Sequence, residues 1–227
     1  MELLDDEALS RTSVVANNAM NRERQLDGPN SYKRELGFHP LDWLQVRRAE
    51  RGAPVAWLDV CCGTGRALVQ AAPLLAPGDS IIGLDLVDYF DPADSAALTF
   101  VCDSVATWQP PRRFDLITCV HGLHYVGDKL AALARIAGWL NEGGRLVADL
   151  DLASIRTREG SPAGRTVAAA LWRAGFEYDA RRHRIQRTGP AEVAMPFTYL
   201  GADAQAGPNY TKQPAVNSYY LLGAEHV

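Results

Sequence analysis

The stretch from Val55 to Arg66 constrains the fold most, because it joins a short apolar run to a glycine-rich turn. The apolar run ends near Asp59, and Gly63 and Gly65 follow it closely. Apolar residues then recur at helical spacing as far as Leu75. This pattern predicts a strand, a tight turn and a helix, which together open a parallel α/β sheet. Unpaired N–H groups at the start of such a helix can bind an anionic or polar group.

The glycine spacing narrows the ligand that this turn can bind. A dinucleotide-binding turn has three glycines, and counting from Gly63 the third would fall on Leu68. A phosphate-binding P-loop needs a Gly-Lys-Ser/Thr sequence, which the turn lacks. A glycine turn of some other α/β protein is the alternative that the turn alone leaves open.

The turn resembles motif I of the class I S-adenosylmethionine (SAM) methyltransferases, whose pattern is Asp/Glu-x-Gly-x-Gly-x-Gly. The sequence here is Asp59-Val60-Cys61-Cys62-Gly63-Thr64-Gly65, so Cys61 stands where the family has its first glycine. We expect this exchange to be tolerated if the position does not need a positive φ. The resemblance implies SAM as the cofactor.

Two acids at predicted strand ends extend the resemblance. Asp85 closes the predicted strand at residues 80–84, about 20 residues past the glycine turn, where a carboxylate can accept from both ribose hydroxyls. A turn aspartate, or the same role for Asp88, is the alternative. Asp103 follows the predicted strand at residues 98–101, and in the family an acid here accepts from the adenine amino group. The N–H of Ser104 then contacts an adenine ring nitrogen, as the resemblance implies.

Two later landmarks occur in the family's order. Phe114-Asp115-Leu116-Ile117 resembles motif IV, and Gly143-Gly144 ends a helix predicted over Lys129–Leu140, before a strand over Arg145–Leu150. The resemblance covers about residues 55–150. The predicted cofactor-binding residues are Tyr32, Asp59, Cys61, Cys62, Gly63, Gly65, Asp85, Leu86, Asp103, Ser104 and Val120. Tyr32 belongs to this set because its hydroxyl suits a carboxylate, although a packed tyrosine is an equal alternative.

The residues after the predicted fourth strand should face the reacting group, because ligands bind at the carboxyl ends of parallel strands. His121 and His124 lie there, and a neutral imidazole can take the proton of an O–H or N–H nucleophile. Packing at the helix start is the alternative role. No third ligand accompanies the two histidines, so we predict no metal site. Tyr125 and two residues of the polar loop 201–214, Asn209 and Tyr210, are expected to bind the substrate, unless that loop is a surface connection.

The predicted fold is α/β: a Rossmann-like, seven-stranded, mostly parallel sheet with an antiparallel last strand, preceded by an N-terminal helical extension. Residues 1–51 form the extension, with helices over Asp5–Met20 and Leu36–Ala49, and residues 52–227 form the methyltransferase core. The extension is expected to be either a lid over the cofactor or a passive cover of the sheet edge. The sixth strand is expected over Tyr178–Arg187 and the antiparallel strand over Ser218–Leu222.

Composition excludes several classes of function. The net charge of −4 offers no basic field for nucleic acid, and the cluster Arg181–Arg184 is interpreted as a solvated strand edge. No run approaches the ~20 apolar residues of a membrane span, and the acidic N-terminus does not resemble a signal peptide. Four cysteines without C-x-x-C spacing favour free thiols in a reducing cytoplasm. The sequence leaves a homodimer open.

The predicted function is SAM-dependent methyl transfer to an O, N or C nucleophile in small-molecule biosynthesis. A small-molecule acceptor is favoured because the chain lacks the Asn/Asp-Pro-Pro-Tyr motif of some DNA and protein amino methylases. The lid-like extension also favours a closed pocket. One alternative is an enzyme that cyclises or cleaves SAM without methyl transfer. The other is a regulatory subunit that binds SAM.

Overall fold

The computed structural model describes residues 3–15 and 24–223. Its main sheet has seven strands: β1 (Ala56–Val60), β2 (Ser80–Asp85), β3 (Leu98–Cys102), β4 (Phe114–Cys119), β5 (Leu140–Asp149), β7 (Glu177–Asp179) and β8 (Arg184–Thr188). They lie in the order β3-β2-β1-β4-β5-β8-β7. The first five strands are parallel, whereas β8 runs antiparallel to both of its neighbours. The predicted fold class is confirmed.

The strand assignment after β5 was wrong in two places. The predicted sixth strand, Tyr178–Arg187, is the two strands β7 and β8, because Asp179 accepts bonds from the N–H groups of Arg181 and Arg182 and closes a turn between them. The antiparallel strand of the main sheet is therefore β8. Residues 218–222 belong instead to β10 (Asn217–Leu222), which forms a second sheet with β6 (Ile155–Thr157) and β9 (Phe197–Asp203).

Six α-helices surround the two sheets within the described residues: α1 (Asp6–Ser10), α2 (Tyr32–Leu36), α3 (Pro40–Arg51), α4 (Arg66–Ala71), α5 (Lys129–Gly138) and α6 (Gly164–Arg173). The predicted first helix is shorter than expected in its described part, and residues 16–20 lie outside the described ranges. The predicted second helix starts later, because Gly37, with φ of 76°, ends α2 and Pro40 takes the first position of α3. The strand after α5 begins at Leu140 rather than Arg145, with an irregular register that absorbs the Gly-Gly pair.

The sheet is buried on both faces, which is why its central strands are almost continuously apolar. Every residue of β1 and β4 is buried. Helix α3 is tied to the amino ends of these strands, because Arg51 donates to Asp115 at 2.6 Å and Arg48 to Asp79. Asp115, which belongs to the sequence that resembles motif IV, therefore lies at the amino ends of the strands, away from the predicted site. The carboxyl ends of β1 to β4 meet at the opposite edge.

Candidate active site

A cavity with about 1200 Å³ of empty space, open to solvent, lies at the carboxyl ends of β1 to β4. Nine of the predicted cofactor-binding residues line it: Tyr32, Cys61, Cys62, Gly63, Asp85, Leu86, Asp103, Ser104 and Val120. His121 and Tyr125 line it as well. Parallel topology explains this convergence, because the residues that follow neighbouring parallel strands emerge at one edge.

Alternate residues of the glycine turn have a left-handed backbone conformation. Cys61, Gly63 and Gly65 have φ values of 56°, 60° and 70°. Position 61, where the family has its first glycine, therefore has a positive φ. We expected cysteine to be tolerated there only if no positive φ was needed, and that condition is not met. A non-glycine residue there costs about 1–2 kcal/mol. Room for its side chain comes from Gly122, where an added Cβ would lie 2.3 Å from the Cβ of Cys61.

Gly65 does not line the cavity, because it packs against an aromatic ring. A Cβ at this position would lie 2.2 Å from the ring of Phe100. Gly65 also precedes α4, and no side chain caps that helix. Glycine is thus required at position 65 by the positive φ and by the close packing against Phe100. Gly65 belongs to the turn through its backbone conformation and does not face the cavity.

The two strand-end acids differ in their partners. Asp85 accepts from the N–H of Gly63 at 2.8 Å and from the N–H of Val87 at 3.1 Å. Burial raises the pKa of Asp85, and these hydrogen bonds oppose that rise. Asp103 accepts from the N–H of Ser104 at 2.6 Å. Both acids line the cavity. Asp85 also holds the glycine turn in shape, whereas Asp103 accepts a hydrogen bond within its own turn.

Asp59 is fully buried beneath the cavity and does not line it. The hydroxyl of Tyr32 donates to Asp59 at 2.5 Å, and the hydroxyl of Thr118 donates to its other oxygen. Burial raises the pKa of Asp59 to about 7, although both hydrogen bonds lower it. Asp59 thus anchors Tyr32, and the hydroxyl of Tyr32 is already occupied by Asp59.

His121 follows β4 in a left-handed conformation, with φ of 60°. Its N–H donates to Asp149 at 3.1 Å, which holds this unusual backbone in place. Its ring atom Nε2 lies 3.3 Å from Glu35 Oε2. The other ring atom, Nδ1, lies 3.3 Å from His124 Nε2 and 3.5 Å from the hydroxyl of Tyr210. The cavity wall therefore contains an imidazole paired with a carboxylate.

His124, Asn209 and Tyr210 do not line the cavity. His124 is 1% exposed, and burial holds its pKa well below the usual value, so its ring is neutral and packed behind His121. Asn209 accepts from the N–H of Thr211 at 2.8 Å and closes its own loop. Tyr210 contacts the cavity wall through its hydroxyl, which lies 3.5 Å from Nδ1 of His121.

Sequence reasoning missed three residues of this site. Glu35 reaches His121 from α2, and nothing local distinguishes it from a solvated helix residue. Arg24 lines the cavity, and its Nε is buried without a hydrogen-bond partner, 4.0 Å from Glu35. Asp149 ends β5, so the strand-end pattern that identified Asp85 could have identified it too.

A search of residues 3–15 and 24–223 found no group of three His, Cys, Asp or Glu side chains arranged to hold a metal ion. None of the helices in these ranges is long and apolar enough to cross a membrane. All four cysteines are free thiols. Cys61, Cys62, Cys102 and Cys119 lie at or just beyond strand ends, as predicted.

Comparison with known proteins gives one family. A family model described as "Methyltransferase domain" matches residues 32–189, which is more than two thirds of the chain. A curated relative, the ubiquinone biosynthesis O-methyltransferase of Xanthomonas campestris pv. campestris, is 31% identical over 170 residues, covering 71% of this chain and 64% of the relative. The chain thus spans slightly less than two thirds of that relative's length.

Solved structures also resemble the chain. The magnesium protoporphyrin IX methyltransferase of Synechocystis PCC 6803 has a TM-score of 0.49 and 15% identity, over 83% of this chain and 99% of the other. An amino pentose methyltransferase from Micromonospora echinaspora has a TM-score of 0.39 and 24% identity, over 53% of this chain and 51% of the other.

Proposed function

Because the chain belongs to the methyltransferase-domain family, we propose that it transfers the methyl group of SAM to a hydroxyl group of a small molecule. Family membership confirms the enzyme class predicted from motif I. The hydroxyl acceptor is supported by one observation above all, the imidazole of His121 paired with Glu35 in the cavity wall. The similarity to an O-methyltransferase points the same way.

The cavity wall offers groups that suit each part of SAM. Asp85 would accept from the ribose hydroxyls and Asp103 from the adenine amino group, whereas the N–H of Ser104 already donates to Asp103 at 2.6 Å. Arg24, whose Nε is buried without a hydrogen bond 4.0 Å from Glu35, would supply a cation for the methionine carboxylate. When bound, SAM supplies a methyl group that is already strongly electrophilic. The protein's task is then to position the acceptor and remove its proton.

His121 would remove that proton. A neutral hydroxyl is a weak nucleophile, so a base that takes its proton during transfer speeds the reaction by about 10²–10⁴-fold. Glu35 would orient the ring and stabilise the imidazolium that forms. Its carboxylate is available, because the hydrogen bond from His121 holds the pKa of Glu35 below its usual value. The remaining rate gain would come from holding the acceptor close to the methyl group.

We assign both expected roles to residues 1–51, in different parts. Helix α3 is a fixed cover, because its arginines pair with Asp115 and Asp79. Helix α1 is a lid: it borders the cavity through Asp6 and Leu9 and is attached mainly to the second sheet. The division at residue 51 therefore separates sequence regions rather than independent units.

Three partner and location predictions stay with this proposal. The acceptor is a small molecule, no nucleic acid takes part, and the enzyme works in the cytoplasm. The negative net charge supports the second of these, and the four free thiols support the third. A homodimer is neither required nor opposed by the site, because every residue assigned above comes from one chain.

The test is turnover with SAM and a panel of small hydroxyl compounds, following S-adenosylhomocysteine and methylated product together. The variant His121→Asn keeps a residue that tolerates a positive φ but removes the base. We expect it to lower kcat by at least about 10²-fold while SAM affinity changes little. His39→Asn, at a histidine that pairs with Asp27 and does not line the cavity, is the control and should stay fully active.

Other outcomes would contradict the proposal. Formation of methylthioadenosine would indicate attack at another carbon of SAM. Tight SAM binding without turnover on any acceptor would favour the regulatory subunit. Full activity of His121→Asn would exclude His121 as the base.

A further inference from the structure

Both ring nitrogens of His121 are occupied by groups of the protein itself. Glu35 is a carboxylate, so Nε2 of His121 carries the proton that points at it. The lone pair of the neutral ring is therefore on Nδ1. An acceptor whose proton His121 takes must reach Nδ1, where two other groups already lie.

Only one of those two groups can leave. His124 is 1% exposed and packed in the core, whereas Tyr210 is 39% exposed at the tip of a turn. The turn is closed by backbone bonds, from the N–H of Asn209 to the carbonyl of Gln213 at 2.9 Å and from the N–H of Ala215 to the carbonyl of Gly207 at 3.2 Å. The Tyr210 side chain can therefore swing out while the turn keeps its shape.

The place that Tyr210 occupies fits a flat ring that bears a hydroxyl. Its ring stacks on the imidazole of His183, with centroids 3.9 Å apart and planes at 9°. It meets the ring of His124 edge-on, at 5.4 Å and 83°. Stacked and edge-on contacts of this kind favour aromatic over saturated groups. Burial raises the pKa of Tyr210, so its hydroxyl remains a protonated donor toward Nδ1.

We propose that the acceptor is a phenol, and that it replaces Tyr210: its ring stacks on His183 and its hydroxyl takes the place of the Tyr210 hydroxyl on His121. This inference rests on the proposed function, since it assigns the acceptor class of the same site. Tyr210 is then a stand-in that fills the acceptor position in the resting enzyme. Once the phenol has replaced Tyr210, its proton moves to Nδ1 of His121 and its oxygen forms a bond to the methyl group. The bond between that methyl group and the sulfur breaks, and S-adenosylhomocysteine leaves.

The experiment is calorimetric binding of phenol and cyclohexanol to the protein loaded with S-adenosylhomocysteine. We expect phenol to bind at least about tenfold more tightly than cyclohexanol. Tyr210→Ala should bind phenol about tenfold more tightly than the unmodified chain, because nothing has to be displaced. Tyr210→Phe keeps a ring in the slot and should show little gain. Tyr89→Ala, at another exposed tyrosine, is the control and should change nothing.

A second pair of variants tests the wall of the slot. His183→Asn suits the positive φ at this position but removes the flat surface, so the preference for phenol over cyclohexanol should be lost. His183→Phe restores a flat surface and should restore the preference. Both variants must fold with the same denaturation midpoint for the comparison to count.

Two results would overturn the inference. One is weaker phenol binding by Tyr210→Ala, which would make Tyr210 a wall of the site. The other is equal binding of phenol and cyclohexanol by the unmodified chain. Neither affects the proposed function, which would stand if aliphatic hydroxyl compounds yielded S-adenosylhomocysteine and methylated product. Conversely, phenol binding with no turnover on any acceptor would refute the proposed function and leave the slot intact.

Discussion

Replacing Gly122 with alanine should destabilise the protein, because the position that a Cβ needs is already filled. The added atom would lie 2.3 Å from the Cβ of Cys61, 2.9 Å from the Sγ of Cys119 and 3.0 Å from the Sγ of Cys61. The Cys61 Cβ cannot rotate away, because it is attached directly to the backbone of the glycine turn. Overpacking of this kind costs about 1–3 kcal/mol.

Cys61→Gly should rescue that loss. It removes two of the three close contacts and leaves only the Sγ of Cys119. By itself the change relieves about 1–2 kcal/mol of left-handed strain at φ of 56°. It also loses a packed side chain and adds about 0.5–1 kcal/mol of unfolded-chain entropy. These effects nearly cancel, so Cys61→Gly alone should change stability by less than about 1 kcal/mol.

The assay is urea unfolding of the unmodified chain, the two single variants and the double variant. We expect the double variant to recover most of the stability lost in Gly122→Ala, with a coupling energy of about 1–3 kcal/mol. Gly138→Ala, where the nearest atom to an added Cβ is 3.7 Å away, is the matched control and should be neutral or stabilising. Additive effects of the two substitutions within about 0.5 kcal/mol would refute the reasoning.

Three further predictions concern charged groups. Asp85→Ala should weaken SAM binding by about 1–3 kcal/mol in calorimetry while Asp88→Ala leaves it unchanged, and equal affinities would remove Asp85 from the site. The pKa of Asp59 is about 7 when folded, above its unfolded value, so the stability it gives at low pH should be lost as pH rises from about 4 to 7. Asp59→Asn should abolish that slope in urea midpoints, and a slope of the same size in the variant would contradict this. The pKa of Lys129 falls to about 7 by burial, so stability should rise between about pH 7 and 10, and a Lys129→Met variant that keeps the rise would exclude Lys129 as its source.

Most of the residues that we propose bind the cofactor could be predicted to line one cavity, because they lie at or just beyond strand ends. An apolar run followed by an acid marks both the strand and the residue that leaves its carboxyl end, and parallel pairing then brings Asp85 and Asp103 together. The same rule was wrong for Asp59 only in placing its carboxylate at the cavity surface, because that carboxylate is buried beneath the cavity. Its carboxylate lies at a strand end as expected, but two hydroxyls from other segments cover it.

The surroundings of His121, where we propose that the acceptor binds, could not be predicted, because their contacts join distant segments. Glu35 and His121 are 86 residues apart, and His121 and Tyr210 are 89 apart. No spacing rule links such positions. The turn that divides β7 from β8 had a local signal, an aspartate shortly before two arginines, but the alternation of Phe176, Tyr178 and Ala180 leading into it resembles the start of one long strand. Because one strand was predicted here, the sequence did not indicate that the turn brings His183 next to Tyr210.

If α1 is the lid and His121 the base, as we propose, the N-terminal segment explains how that base stays oriented when the lid moves. Tyr32 and Glu35 lie on the same short helix, and Tyr32 is fixed to Asp59 in the core while Arg184 donates to the carbonyl of Glu35. The helix that carries Glu35 is therefore held from two sides by the main sheet. Helix α1 belongs to a separate apolar cluster that packs on the second sheet. The proposed movement of α1 would therefore leave Glu35 in place, because the two parts of the segment are anchored to different sheets.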